Sequence, residues 1–162
     1  MFHPTAYQGT LEEQYETVLL QLKGLTHNES DLIANLANAS ALLNQFLENI
    51  NWVGFYLVKE NELVLGPFQG LPACIRIPFT KGVCGHVATT KKTVIVKNVH
   101  EFPGHIACDA ATNSEIVIPI LKDGELIGVL DIDSPILDRF NEIDQKYLEK
   151  FVQIIAKNIP SA

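Results

Sequence analysis

Residues Glu115–Asp133, EIVIPILKDGELIGVLDID, set two apolar strands on either side of a Lys122-Asp123-Gly124 turn. Gly124 supplies the positive φ that a tight hairpin needs, so the stretch reads as an antiparallel pair. Upstream, Trp52–Val58 (WVGFYLV) reads as another strand. The polar break KENE separates it from LVLG in a second hairpin, which the Pro and Gly residues of GPFQGLP are expected to end. Alternation in CIRIPF predicts a short strand with Ile75 and Ile77 on one face and Cys74 and Arg76 on the other. Between the hairpins, KGVCGHVATTKK reads as a glycine-led turn entering a short helix, and TVIVKNV as a strand.

Helices bracket these strands. Thr10 and Glu13 form a T-x-x-E capping box ahead of Tyr15, Val18, Leu19 and Leu22, with the helix expected to end near Gly24. A second helix is expected from about Ser30 to Asn49, its stripe made by Leu32, Ile33, Leu36, Leu42, Leu43, Phe46 and Leu47. Asn141 caps a last amphipathic helix through Tyr147, Leu148, Phe151, Ile154 and Ile155. Helices before hairpin-linked strands, and one helix after them, give an α+β class: a mainly antiparallel central sheet of five or six strands covered by helices.

The 162 residues, 47% hydrophobic and 19% charged, suit one domain with one sizeable core. No repeat or linker divides the chain, so residues 1–162 are read as one domain. Within it the expectation is helices over about 10–49, sheet and site loops over about 52–134, and a closing helix over about 141–158. Twelve Lys and Arg against nineteen Asp and Glu give a net charge of -7, which repels nucleic-acid phosphates and anionic lipid, and basic residues cluster no further than Lys91 and Lys92. The N-terminus has no charged region followed by an apolar core, and no run approaches the ~18 apolar residues of a membrane span. A cytoplasmic protein is expected, and there an odd set of three cysteines points to thiol chemistry more than to a disulfide framework.

The segment Gly104–Glu115, GHIACDAATNSE, sets Cys108 in a polar, small-residue loop, where a cysteine is placed to react. Cys74 and Cys84 both lie beside turn-forming Gly or Pro residues instead of mid-helix. Cys84 alone also fits a small buried hydrophobe. Asp131 and Asp133 alternate around Ile132, so in a strand both project to one face, and Glu115 on the partner strand can join them. Acids on an otherwise apolar strand are costly unless a cation or hydrogen-bond donor meets them. Trp52 and Tyr56, four apart on one strand, share a face that suits either a core or a pocket wall. His86 and His105 follow no zinc-binding spacing relative to the cysteines, and the glycines at 82, 85 and 104 form neither a dinucleotide nor a P-loop fingerprint, so no metal is expected.

NWVGFYLV, GPFQG, ACIRIP, GVCG, GHIACDAATNSEIVIPI and IGVLDIDS, in this order and spacing, resemble the free methionine-(R)-sulfoxide reductases, a family built on a single GAF domain. The resemblance runs from about residue 30 to 155, and three cysteines and two acidic motifs carry it together. It implies that Cys108 is the nucleophile, that Cys74 resolves the sulfenic acid, and that Cys84 is a secondary resolver or part of the pocket. It further implies that Glu115, Asp131 and Asp133 meet the substrate ammonium, that Glu115 is also a possible proton donor, and that Trp52 and Tyr56 border the methylthio end. Thioredoxin is the implied external reductant, free L-methionine (R)-sulfoxide the substrate, no cofactor is bound, and the assembly is a homodimer. A GAF sensor or binding module, and a cysteine redox switch or thiol peroxidase, remain alternatives on the residues alone.

Overall fold

The computed structural model describes residues 1–106 and 108–161; Ala107, within the GHIACDAATNSE loop, and Ala162 lie outside the described residues. Three strands are built on strict alternation. In β1 (Trp52–Lys59), Val53, Phe55 and Leu57 point one way and Trp52 and Tyr56 the other. In β5 (Ser114–Lys122), Ile116, Ile118 and Ile120 take the first side and Val117 the second, and β6 (Glu125–Ser134) likewise divides Leu130 and Ile132 from Val129. Side chains two residues apart share a face, so the sequence pattern fixes which face is wholly apolar. Asp123 and Gly124 both adopt positive φ, as the hairpin between β5 and β6 requires.

With β2 (Glu62–Gly70), β3 (Arg76–Pro78) and β4 (Val94–Val96), the described residues form a six-stranded antiparallel sheet of order β3-β2-β1-β6-β5-β4. The α+β class with an antiparallel sheet is as the sequence predicts. The apolar face is covered by α1 (Leu11–Thr26), α2 (Leu32–Phe46) and α4 (Glu142–Lys157). The Thr10–Glu13 capping box starts α1, and Asn141, paired reciprocally with Asp144, starts α4. Tyr15 donates a buried 2.6 Å hydrogen bond to Asp144, tying the first helix to the last. The opposite face is covered more thinly, by α3 (Gly82–Thr90), the short 3-10 helix Val99–Glu101 and the segments around Cys74 and Cys108.

Several boundaries differ from the sequence reading. α1 runs past Gly24 to Thr26, because Thr26 is buried and its hydroxyl donates to the Leu22 carbonyl at 2.9 Å, which outweighs the cost of one helical glycine. α2 is capped by Asp31 and is shorter at both ends than expected. β2 is not ended by Gly66 and Pro67; it continues to Gly70, the register against β1 shifting between Gly54 and Tyr56, and a proline is tolerated at such an irregularity. Ile75 lies ahead of β3 and is 67% exposed while Ile77 is buried, so the two do not share a packed face. TVIVKNV forms a strand only at Val94–Val96 before the chain turns into the 3-10 helix. Cys84 sits within α3 and not in a loop.

Candidate functional site

The alternation that fills one face with Ile, Leu and Val places Trp52, Tyr56, Glu115, Asp131 and Asp133 around one cleft on the other. Register supplies the rest: Asp133 lies opposite Glu115 on β5 and opposite Trp52 on β1, while Asp131 lies between Val117 and Gly54. Gly54 is required there by contact, since a Cβ would come 2.3 Å from the Phe68 Cβ. Trp52 stacks with both Phe68 and Tyr56, ring centroids 5.1 and 5.9 Å away, forming an aromatic wall.

Glu115 and Asp131 are each only 6% exposed. Burial pushes Glu115 and Asp133 well above the usual carboxylate range, and their mutual negative charge with Asp131 adds to it. Asp131 is also raised by burial, but hydrogen bonds from Glu115, Asp133 and Cys84 and the nearby charge of His105 oppose that rise. Asp131 is therefore the member most readily left as a carboxylate, with Glu115 placed as a protonated donor beside it. One oxygen of Asp131 and one of Asp133 (Oδ1 in each) are buried with no hydrogen-bond partner among the described residues. Such orphaned acceptors call for a donor or a cation.

Cys108, which lines the cleft, is joined to Cys74 in a disulfide with their Cα atoms 5.7 Å apart. Both are half-buried, Cys74 ahead of β3 and Cys108 in the loop before β5. Cys84, on α3, is the free cysteine, buried in the wall of the same cleft. Gly85 lets α3 press close, because a Cβ there would come 2.7 Å from the Pro78 carbonyl oxygen. Burial and then the neighbouring acids push the Cys84 thiol well up, so it stays protonated, donating toward Asp131. Burial and the charge of His100 lower His105, which also lines the cleft. His86 packs edge-on to Phe102 and is not among the cleft residues.

Hydrogen bonds fix the two loops that meet at the disulfide. The Tyr56 hydroxyl donates to the Cys74 carbonyl at 2.8 Å, and Trp52 Nε1 donates to the Leu71 carbonyl at 3.2 Å. Asn51 Nδ2 donates to Asp109 Oδ2 at 2.9 Å and to Thr112 Oγ1 at 3.0 Å. Asp109 and Thr112 line the cleft and were not singled out from sequence; the one available signal was an Asp directly after Cys108, where its side chain forms a turn with the Ala111 amide. With the disulfide closed the cleft keeps about 40 Å³ of accessible space and stays partly open to solvent.

A family model for the GAF domain matches residues 12–159. The chain is 47% identical to the free methionine-R-sulfoxide reductase of Escherichia coli, over 90% of this chain and 88% of that one. Among solved structures it is similar to the reduced form of fRMsr of Staphylococcus aureus, with 52% identity, a TM-score of 0.89 and coverage of 97% of this chain and 100% of that one. It is also similar to the free methionine-R-sulfoxide reductase of Neisseria meningitidis in complex with its substrate, with 44% identity, a TM-score of 0.91 and coverage of 97% and 95%.

Proposed function

The chain belongs to the GAF-domain family, in the group of the free methionine-R-sulfoxide reductases, and on that premise we propose how its own residues reduce free L-methionine (R)-sulfoxide to L-methionine. Asp131, with Asp133, receives the substrate's α-ammonium, which supplies the cation that the two orphaned oxygens lack. Trp52 and Tyr56 enclose the methylthio end. The Cys108 thiolate attacks the sulfoxide sulfur while protonated Glu115 gives its proton to the departing oxygen. Oxygen passes to Cys108 as a sulfenic acid, and methionine leaves with the sulfur reduced by two electrons. The Cys74 thiol then attacks the sulfenic sulfur, releasing water and forming the Cys74–Cys108 disulfide.

A dithiol protein, thioredoxin in our reading, returns two electrons and two protons to restore both thiols. Sulfur and protons complete the cycle, so it calls for no bound organic or metal cofactor. Cys84 serves as pocket wall, with resolution only a secondary role, because its buried thiol resists ionisation. One GAF domain carries every group the cycle uses, acting as a homodimer in the cytoplasm. No helix among the described residues is long and apolar enough to cross a membrane. Because the disulfide ties up the Cys108 sulfur, it is reduced before the next sulfoxide is attacked.

The observation that carries this reading is a disulfide cysteine, Cys108, lining the same cleft as two buried carboxyl groups, Glu115 and Asp131, and the half-buried Asp133. The test couples thioredoxin oxidation to turnover of free (R)- or (S)-sulfoxide, with wild type beside Cys108→Ser. Turnover of the (R) form alone, falling to the uncatalysed background in Cys108→Ser, is expected. Activity that survives the substitution would contradict the assigned nucleophile.

A further inference from the structure

Cys84 has no step of its own while Cys74 resolves, yet it is the least ordinary wall residue in the cleft. It is 5% exposed, and its Sγ, one oxygen of Glu115 and one of Asp131 all lie within 4.8 Å of one another. The unpartnered buried oxygen of Asp131, within that grouping, and that of Asp133, outside it, mark the same place as short of positive charge. We propose that this end of the cleft is also a binding site for a thiophilic divalent cation, Zn²⁺ or Cd²⁺, ligated by Cys84 Sγ, Glu115 and Asp131.

The donor set and its spacing fit. Tetrahedral zinc, with Zn–S of about 2.3 Å and Zn–O of about 2.0–2.2 Å, holds sulfur and oxygen ligands about 3.5 Å apart. The observed donors, within 4.8 Å of one another, need to close by up to about 1.3 Å, a movement of the order that side-chain torsions allow. A thiolate among the ligands selects zinc or cadmium over magnesium and calcium, which prefer oxygen alone. Binding releases the thiol proton and any carboxyl protons to solvent, leaving a dication among anionic ligands in a buried place where an unpaired charge would be costly. Water from the cleft, which all three ligands line, completes the shell.

Metal binding does not depend on the catalytic reading, but its consequence does. If Asp131 receives the substrate ammonium, cation and sulfoxide exclude each other, and zinc inhibits the reduced enzyme by competition. The closing of Cys74 with Cys108 gives a clean first test, because it leaves Cys84 as the free thiol. Cd²⁺ titrated into the oxidised, purified chain is followed by thiolate-to-metal charge-transfer absorption and by calorimetry, and Zn²⁺ is then used to displace it.

One Cd²⁺ per chain with a charge-transfer band is expected, the band disappearing in Cys84→Ser. In Glu115→Gln and Asp131→Asn the band remains but affinity falls by about 10-fold or more. Absence of the band in wild type, its survival in Cys84→Ser, or wild-type affinity in both acid variants would each overturn the site. Neither sulfoxide nor turnover enters this arm, so its failure leaves the reductase reading standing. A second arm follows methionine formed in a single turnover by pre-reduced enzyme without thioredoxin. Zinc is expected to be overcome by excess sulfoxide there, and inhibition indifferent to sulfoxide would overturn the shared position.

Discussion

The two faces of the sheet are made from alternate residues of the same three strands, and they do opposite things. Val53, Phe55, Leu57, Ile116, Ile118, Ile120, Leu130 and Ile132 form a dry surface packed by three helices. Their neighbours Trp52, Tyr56, Glu115, Asp131 and Asp133 line a cleft in which acids are buried without counter-ions, against the ordinary rules of burial. The helix-covered face supplies the burial that holds the register, and a one-residue slip would turn the acids into the helices. Stability concentrated on one face lets the other hold groups arranged for a ligand and not for the empty protein.

Substitutions on each face should therefore separate stability from activity. Ile118→Ala, in the helix-covered core, is expected to lower unfolding free energy by about 2–5 kcal/mol in urea titrations, with activity per folded molecule kept. Equal loss of turnover per folded molecule would break the division between the faces. Glu115→Gln is expected to do the reverse. It should lower kcat/KM by about 10²–10³-fold, as the loss of a transition-state donor does, while the ligand-free melting temperature holds or rises.

The pH dependence sharpens the same contrast. Burial raises Glu115 and Asp133 above their ordinary values, so the folded state favours their protonated forms. The stability this gives is complete below the unfolded values and is lost as pH rises through the raised ones. Unfolding free energy of the ligand-free, disulfide-intact chain should thus decline toward alkaline pH, by no more than about 1.4 kcal/mol per pH unit for each proton. Glu115→Gln should flatten that decline, and a slope unchanged by it would show that the acids are not the source. The smallest effect is expected at Asn51→Ala, which frees Asp109 and Thr112 beside Cys108. About 1 kcal/mol of lost hydrogen bonding should appear mainly as a KM about five-fold higher, with little change in melting temperature.

The dry face was readable from sequence because period-two alternation in β1, β5 and β6 is a local property, and the caps at Thr10 and Asn141 are equally local. The same alternation put Trp52 beside Tyr56 and Asp131 beside Asp133. What depended on tertiary contact was not readable. Thr26 holding α1 past Gly24, β2 crossing Gly66 and Pro67, and Asn51 reaching 58 residues along the chain to Asp109 are all settled by partners far away in sequence. Cysteine pairing was of this kind too: three thiols near turns left the partner of Cys108 open, and only resemblance to a family proposed Cys74. The depth of Cys84 within α3 had no sequence signal beyond the glycine that follows it.

The claim that the acidic end of the cleft reads the substrate's free ammonium is tested most directly by kcat/KM for free L-methionine (R)-sulfoxide against its N-acetylated form. Acetylation removes the charge and keeps the sulfoxide. Leaving a buried carboxylate without its partner costs about 3–5 kcal/mol, so a preference for the free amino acid of at least about 100-fold is expected. Equal values for the two would contradict it.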